Sequence, residues 1–265
     1  MEPSAAGPAP FKLRTPAIWP LAWRQLARDF RAGELRLLVV AVMLAVAALT
    51  AVGFFADRIN TGLARDARQM LGGDAIVASD QPAPAAFTAK ARELGLVTAT
   101  TAAFPSMGRA PDAKGGGSRL VSVKAVSESY PLRGRLKLNS GEGTPEVSLA
   151  RAPDRGSVWV DPALLDAINL KVGDSLLLGD AALRIAQVIV VEPDRGAGFM
   201  SFSPRVLLNE ADLPATGLVQ PASRVTYRLA VAASGASDAP VRAFVEWAEA
   251  QVKSQTLRGD RKSVV

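Results

Sequence analysis

From Leu37 to Ala56 the chain runs without a charge or a proline, and Thr50 is its only hydroxyl. As a helix rising about 1.5 Å per residue, such a run is roughly 30 Å long, which matches the hydrocarbon core of a bilayer. Glu34 and Arg36 stand before it and Asp57 and Arg58 after it, so its ends are sharp. A core helix of this length would carry a polar stripe, and none is present. A signal peptide has a short basic leader and a shorter apolar stretch. Here 36 residues come first, so an uncleaved transmembrane helix is expected over 37–56. The small residues Ala45 to Ala48 keep a cleaved leader as the alternative.

Flanking arginines orient such a helix weakly. Arg24, Arg28, Arg31 and Arg36 precede it, and Arg58, Arg65 and Arg68 follow. Mass argues more strongly, because the short stretch before the run cannot form a domain, whereas the long stretch after it can and would be translocated largely regardless of charge. The expected arrangement is a cytoplasmic N-terminus with the bulk of the chain outside.

Ahead of the span, Trp19, Trp23, Leu26, Ala27 and Phe30 recur at helical spacing, and Pro20 suits a first turn. Arg24, Arg28 and Arg31 fall on another face, so a juxtamembrane amphipathic helix over 19–36 is expected to lie at the headgroup level. Its membrane-interface residues would be Trp19, Trp23, Phe30, Arg24, Arg28 and Arg31. Residues 1–18 read as a disordered cytoplasmic tail.

Several chemistries are excluded by what the chain lacks. With no His and no Cys, it cannot build a Ser-His-Asp triad, a thiol nucleophile, a zinc cluster or a disulfide. Acid pairs such as Asp161 with Asp166, or Glu210 with Asp212, stand in turn and cap contexts. Gly115-Gly116-Gly117 has no following helix and no Lys-Ser/Thr, so it is no phosphate cradle. No enzyme, cofactor or metal is expected. The net charge of +6, from 31 basic and 25 acidic residues, is scattered among few aromatics, which fits a membrane surface better than nucleic acid.

Beyond the span, Ile59, Leu63, Ala67 and Met70 continue a helical pattern that Gly72 and Gly73 end. A strand is expected over Asp74–Ser79, a helix over Pro84–Leu94 and strands over Leu96–Met107 and Arg119–Val126. Arg109–Ser118 and Asn139–Gly156 read as loops. Then come a strand at Ser157–Val160, a helix at Pro162–Ile168, strands at Ser175–Leu178 and Ala182–Val191 about a Gly179-Asp180 turn, and a strand at Arg224–Val231. A last amphipathic helix carries Val241, Phe244, Val245, Ala248 and Val252. Strands outnumber helices without βαβ alternation, which predicts an α+β domain over 57–255. The ending Asp260-Arg261-Lys262-Ser263-Val264-Val265 matches one reading frame of a common sequencing adapter, so 256–265 is expected to be a truncated end, with 260–265 an assembly artefact.

Several segments together resemble a known family. They are LRLLVVAVMLAVAALTAVGFFADR (35–58), LGGDAIVASDQP (71–82), TAAFPSM (101–107), VKAVSESYPLRGRL (123–136), NLKVGDSLLLGDAALRIAQVIVVEPDRG (169–196) and FSPRVLLNEADL (202–213). In order and spacing they resemble MacB/FtsX-like ABC transporter permeases, and among these the large permease of an exporter associated with a periplasmic lysophospholipase/arylesterase. The resemblance runs from about Trp19 to Val252, and none of its motifs is a catalytic signature. It implies one N-terminal transmembrane helix followed by a MacB-like periplasmic domain of mixed strands and helices, with further helices beyond. It also implies a bacterial inner-membrane location, a separate cytoplasmic ABC ATPase as partner, and export or extraction of hydrophobic lipid-like molecules. A periplasmic esterase/lysophospholipase would be a second partner. The rival reading is a single-pass membrane-anchored periplasmic sensor or adaptor.

One segment stands apart. In Gly196-Ala197-Gly198-Phe199-Met200-Ser201-Phe202 three large apolar side chains follow two glycines. As a contact loop it would present Phe199, Met200 and Phe202 to a lipid-like substrate or a partner; otherwise the three pack into the core.

Overall fold

A computed structural model describes residues 18–256 and 262–264, apart from 142, 196–201, 222 and 236. Two compact units divide between Gly62 and Leu63. In the first, α1 (Ile18–Ala32) is followed by α2 (Glu34–Leu71), which runs on into the second unit. The helix expected to reach residue 36 stops at Ala32 because Gly33 takes φ 94°, a backbone conformation that favours glycine and ends one helix before the next begins. The apolar stretch of α2 is exposed throughout, and among the described helices it alone is long and apolar enough to cross a membrane.

The second unit is built on β1 (Ala75–Ser79), α3 (Ala85–Glu93), β2 (Leu96–Arg109), β3 (Ser118–Val126), β4 (Leu136–Asn139), β5 (Val147–Leu149), β6 (Ser157–Val160), α4 (Pro162–Ile168), β7 (Ser175–Leu178), β8 (Ala181–Val191), β9 (Arg205–Asn209), β10 (Thr226–Ala233), α5 (Ala239–Thr256) and β11 (Lys262–Val264). The strands join in the order β11-β1-β10-β2-β3-β9-β6-β8-β4-β5, and β7 pairs with both β2 and β8. That double pairing closes β2, β3, β9, β6, β8 and β7 into a ring. Alternate residues point into it: Phe104, Val121, Val123, Val158, Val160, Leu176, Leu178, Leu183, Ile185, Val206 and Leu208 form one buried cluster, and Leu164 and Ile168 of α4 pack against them. Asp161 caps α4 by accepting from the Ala163 N–H at 3.0 Å, and Pro162 opens its first turn, as the sequence predicts.

The extension β11-β1-β10-β2 is covered by α3 and α5, whose Phe87, Phe244 and Ala248 close over Val77, Leu229 and Val231. Trp247 meets Phe87 edge-on at 5.0 Å between ring centroids. A third cluster, with Tyr130, Leu136, Leu138, Trp159, Ile189 and Leu207, lies on the outside of the ring. The mixed α+β architecture expected from the sequence is therefore present.

Four strands, β4, β5, β9 and β11, lie outside the expected ones. The expected loop Asn139–Gly156 contains β5, which pairs with β4; both are too short to show period two. All five residues of β9 are buried, so they read as a plain apolar run behind an arginine, with no alternation to betray a strand.

Candidate coupling site

Where α2 ends, the chain is tied down by charge. Gly72 donates its N–H to Gln69 O at 3.1 Å and takes φ 72°, a glycine C-cap. Two residues on, Asp74 has its side chain buried. Arg133 grips it with both arms of its guanidinium, Nε to Oδ1 at 2.8 Å and Nη2 to Oδ2 at 2.6 Å. The same Oδ2 accepts the Ala233 N–H at 2.9 Å, and Arg133 Nη2 also donates to Ala233 O at 2.8 Å. From the last turns of α2, Arg68 reaches Asp238, ahead of α5, at 2.6 Å. Burial alone would raise the Asp74 carboxyl, but the Arg133 hydrogen bonds, the Ala233 N–H and the charges of Arg133 and Arg68 hold it below its ordinary value. One carboxylate thus joins the helix end, β1, the turn after Tyr130 and the end of β10.

A second cluster lies on the outer face of the ring. Lys124 is 3% exposed in the middle of β3, and its ammonium donates to Tyr130 Oη at 3.0 Å, Glu192 Oε1 at 2.8 Å and Asp194 at 2.8 Å. Tyr130 donates in turn to Asp194 Oδ1 at 2.5 Å. Arg205, the first residue of β9, donates from Nε to Glu192 Oε2 at 2.8 Å and from Nη1 to Ser122 Oγ at 2.5 Å. Two cations and two anions balance here, as buried charges must. Burial would raise Glu192, but Lys124 and Arg205 hold it below its ordinary value. Burial, and then the Asp194 and Glu192 charges, push the Tyr130 phenol well up, so it stays a donor.

The two clusters meet at Gly72. A Cβ there would lie 3.1 Å from Asp194 Oδ2, and the Arg133 N–H donates to Gly72 O at 3.2 Å. At Gly134, φ 80°, a Cβ would lie 2.9 Å from Pro193 Cβ. Glycine at both positions lets the helix end and the 192–194 segment lie in direct contact. The arrangement holds no activated nucleophile; its donors and acceptors are spent on one another, which suits it to carry load between elements. Among the described residues, no group of three or more acidic side chains is placed to hold a metal ion.

The residues picked from the sequence lie elsewhere. Trp19, Trp23, Arg24 and Arg28 are exposed on α1; Phe30 and Arg31 belong to the same helix, and their side chains lie outside those described. Phe199 and Met200 lie outside the described residues, whereas Phe202 is described and is 86% exposed, so this member of the triplet does not pack into the core. Asp74, Lys124, Arg133, Glu192, Asp194 and Arg205 were not singled out, although a lysine inside the apolar strand LVSVKAV is a legible anomaly.

No family model matches the chain. Over 228 residues it is 35% identical to YbbP, an uncharacterized ABC transporter permease of Escherichia coli (strain K12), and the match covers 86% of this chain and 26% of that protein. The chain thus spans about a quarter of the length of this curated relative, and the relationship agrees with the resemblance carried by the motifs. Among solved structures, the periplasmic region of MacB from Actinobacillus actinomycetemcomitans has a TM-score of 0.43 at 12% identity, covering 75% of this chain and 91% of that one. The extracellular domain of the noncanonic ABC-type transporter YknZ from Gram-positive bacteria has a TM-score of 0.44 at 11% identity, covering 72% and 99%.

Proposed function

We propose that the chain is part of the permease subunit of a MacB/FtsX-type ABC transporter, working with a separate cytoplasmic ABC ATPase in a bacterial inner membrane. The observation that carries this reading is the 35% identity to an ABC transporter permease over most of the chain. On this reading residues 37–56 cross the membrane, α1 rests at the interface through Trp19, Trp23, Phe30, Arg24, Arg28 and Arg31, and residues 57–255 form a periplasmic domain. ATP hydrolysis in the cytoplasm moves that domain, and the Asp74 and Lys124 clusters keep the helix end joined to the sheet while it moves. The cargo is hydrophobic and lipid-like, and a periplasmic esterase or lysophospholipase acts beside it.

Affinity purification of the intact permease that carries this chain, tagged and drawn from membranes in mild detergent, tests the pairing. Recovery of an ABC ATPase in fixed ratio is expected, and its absence would sink the proposal. Topology has its own test. A reporter that is active only outside the cytoplasm should work when fused after Arg68 and fail when fused after Thr15; equal behaviour of the two fusions rules out a single crossing.

Phe202 is the described member of the proposed contact loop. Because its side chain is exposed, Phe202→Ser should change stability by no more than about 0.5 kcal/mol while weakening export by the assembled transporter. A clear fall in melting temperature, or export at the wild-type rate, would remove Phe202 from that role.

A further inference from the structure

On the ring-interior face of the sheet, a cleft of about 260 Å³ opens between the α3/α5 cluster and the ring cluster. Beneath it lie Val77, Leu229 and Tyr227, whose positions on β1 and β10 alternate onto one face, since Val77 pairs with Leu229 and Ser79 with Tyr227; Val77 and Leu229 are covered, and the half-buried Tyr227 is the accessible part of the floor. Thr100, opposite Leu229 on β2, shares that face. Pro82, Ala83 and Thr88 of the α3 side form one wall, and Glu210, just past β9, forms the other. Arg228 and Thr101 also border the cleft, but strand alternation turns their side chains to the opposite face. The formal charge that side chains direct into the cleft is therefore the Glu210 carboxylate.

That carboxylate is held in place. Thr100 Oγ1 donates to Glu210 Oε2 at 2.6 Å, and Asn209 accepts the Ala211 N–H at 3.0 Å, which fixes the turn from which Glu210 projects. Its other oxygen, Oε1, has no hydrogen bond or ion pair among the described residues. We propose that this cleft binds a small organic cation, a primary ammonium on a short aliphatic chain. The hydrocarbon lies on Tyr227, Pro82 and Ala83, and the ammonium donates to Glu210 Oε1 and to the neighbouring hydroxyls. An ammonium has three donors and no acceptor; Glu210 offers acceptors only, and the hydroxyls of Ser79, Thr88 and Thr100 can accept beside it. A carboxylate ligand would meet Glu210 with like charge, and an uncharged alcohol would forgo the charge-assisted hydrogen bond. A cleft with an apolar body and a few convergent polar groups is the ordinary form of a small-molecule site. The proposal does not depend on the permease reading.

Three probes with one carbon skeleton decide it: n-butylammonium, n-butanol and butyrate, titrated calorimetrically into the full chain in maltoside micelles. Saturable binding of n-butylammonium, about tenfold or more tighter than n-butanol, is expected, with none for butyrate. Glu210→Gln keeps a partner for Thr100 and removes the charge, so it should abolish the preference with an unchanged melting temperature. Thr88→Leu, on the opposite wall, should fill the cleft and block n-butylammonium and n-butanol alike. Absence of saturable n-butylammonium binding, equal affinity for n-butanol, preference for butyrate, or an unchanged preference in Glu210→Gln would each overturn the proposal.

Discussion

Lys124→Met is expected to destabilise the second unit by about 3–5 kcal/mol, the usual cost of removing one partner from a buried ion pair. Its aliphatic stem is replaced almost in kind, so the loss comes from the ammonium. Without it, Glu192 keeps only Arg205, and Asp194 keeps only the Tyr130 hydroxyl. For a unit of this size, roughly 2–4 °C of melting temperature accompanies each kcal/mol, so a fall of roughly 10 °C is expected in thermal unfolding followed by circular dichroism. Lys124→Met combined with Asp194→Asn should recover part of the loss, because the orphaned charge goes too. A double variant no more stable than the single one would show that packing around the lysine stem, and not charge, matters here.

The second large effect is expected at Asp74. Asp74→Ala removes two charge-assisted hydrogen bonds from Arg133 and the acceptor of the Ala233 N–H. Arg133 is a third exposed and can turn to water, so the cost is about 2–3 kcal/mol and not the sum of its parts. Acid should expose the same link. The folded-state carboxyl lies below its ordinary value of 3.8, so its contribution is complete above that value and is lost as pH falls through the lower, folded one. As pH falls below 3.8 the wild-type chain should therefore lose more stability than Asp74→Ala does; parallel losses would show that Asp74 is not the group titrating. On the proposed function, the same variant in the assembled transporter should hydrolyse ATP and fail to transport. Transport at the wild-type rate would show that the Asp74 clasp is not on the route of coupling.

The sequence made the elements with strong local signals readable. Ser157–Val160, Pro162–Ile168 and Ser175–Leu178 coincide with β6, α4 and β7, because the Asp-Pro helix start that ends β6 and the Gly-Asp pairs on either side of β7 act within a few residues. Long-range pairing left no such mark. β9 is recognisable only by its neighbours β3 and β6, and nothing in the sequence places β7 against β2. The candidate site was hidden for the same reason: Asp74 and Arg133, or Lys124 and Asp194, are far apart along the chain and meet only once the ring is closed. Glu192 and Asp194 stand in the motif EPDRG, which looks like an exposed turn until the fold buries it. The Phe199 to Phe202 segment attracted notice by composition, and exposure at Phe202 answers for only one of its three side chains.

The place of β10 in the sheet bears on when this unit can fold. β1 follows α2 at once, yet its neighbour toward the ring is β10, about 150 residues later, and β10 lies between β1 and β2. Closing so long a loop costs entropy that only the finished sheet returns, and contacts of such sequence separation form slowly. During synthesis the early strands therefore wait with open edges while most of the domain emerges. Such edges are the surfaces on which chains pair wrongly. Yield of soluble, correctly folded protein should thus depend on keeping that waiting chain apart from others, and on the proposed function it would depend on folding assistance where the domain emerges from the membrane.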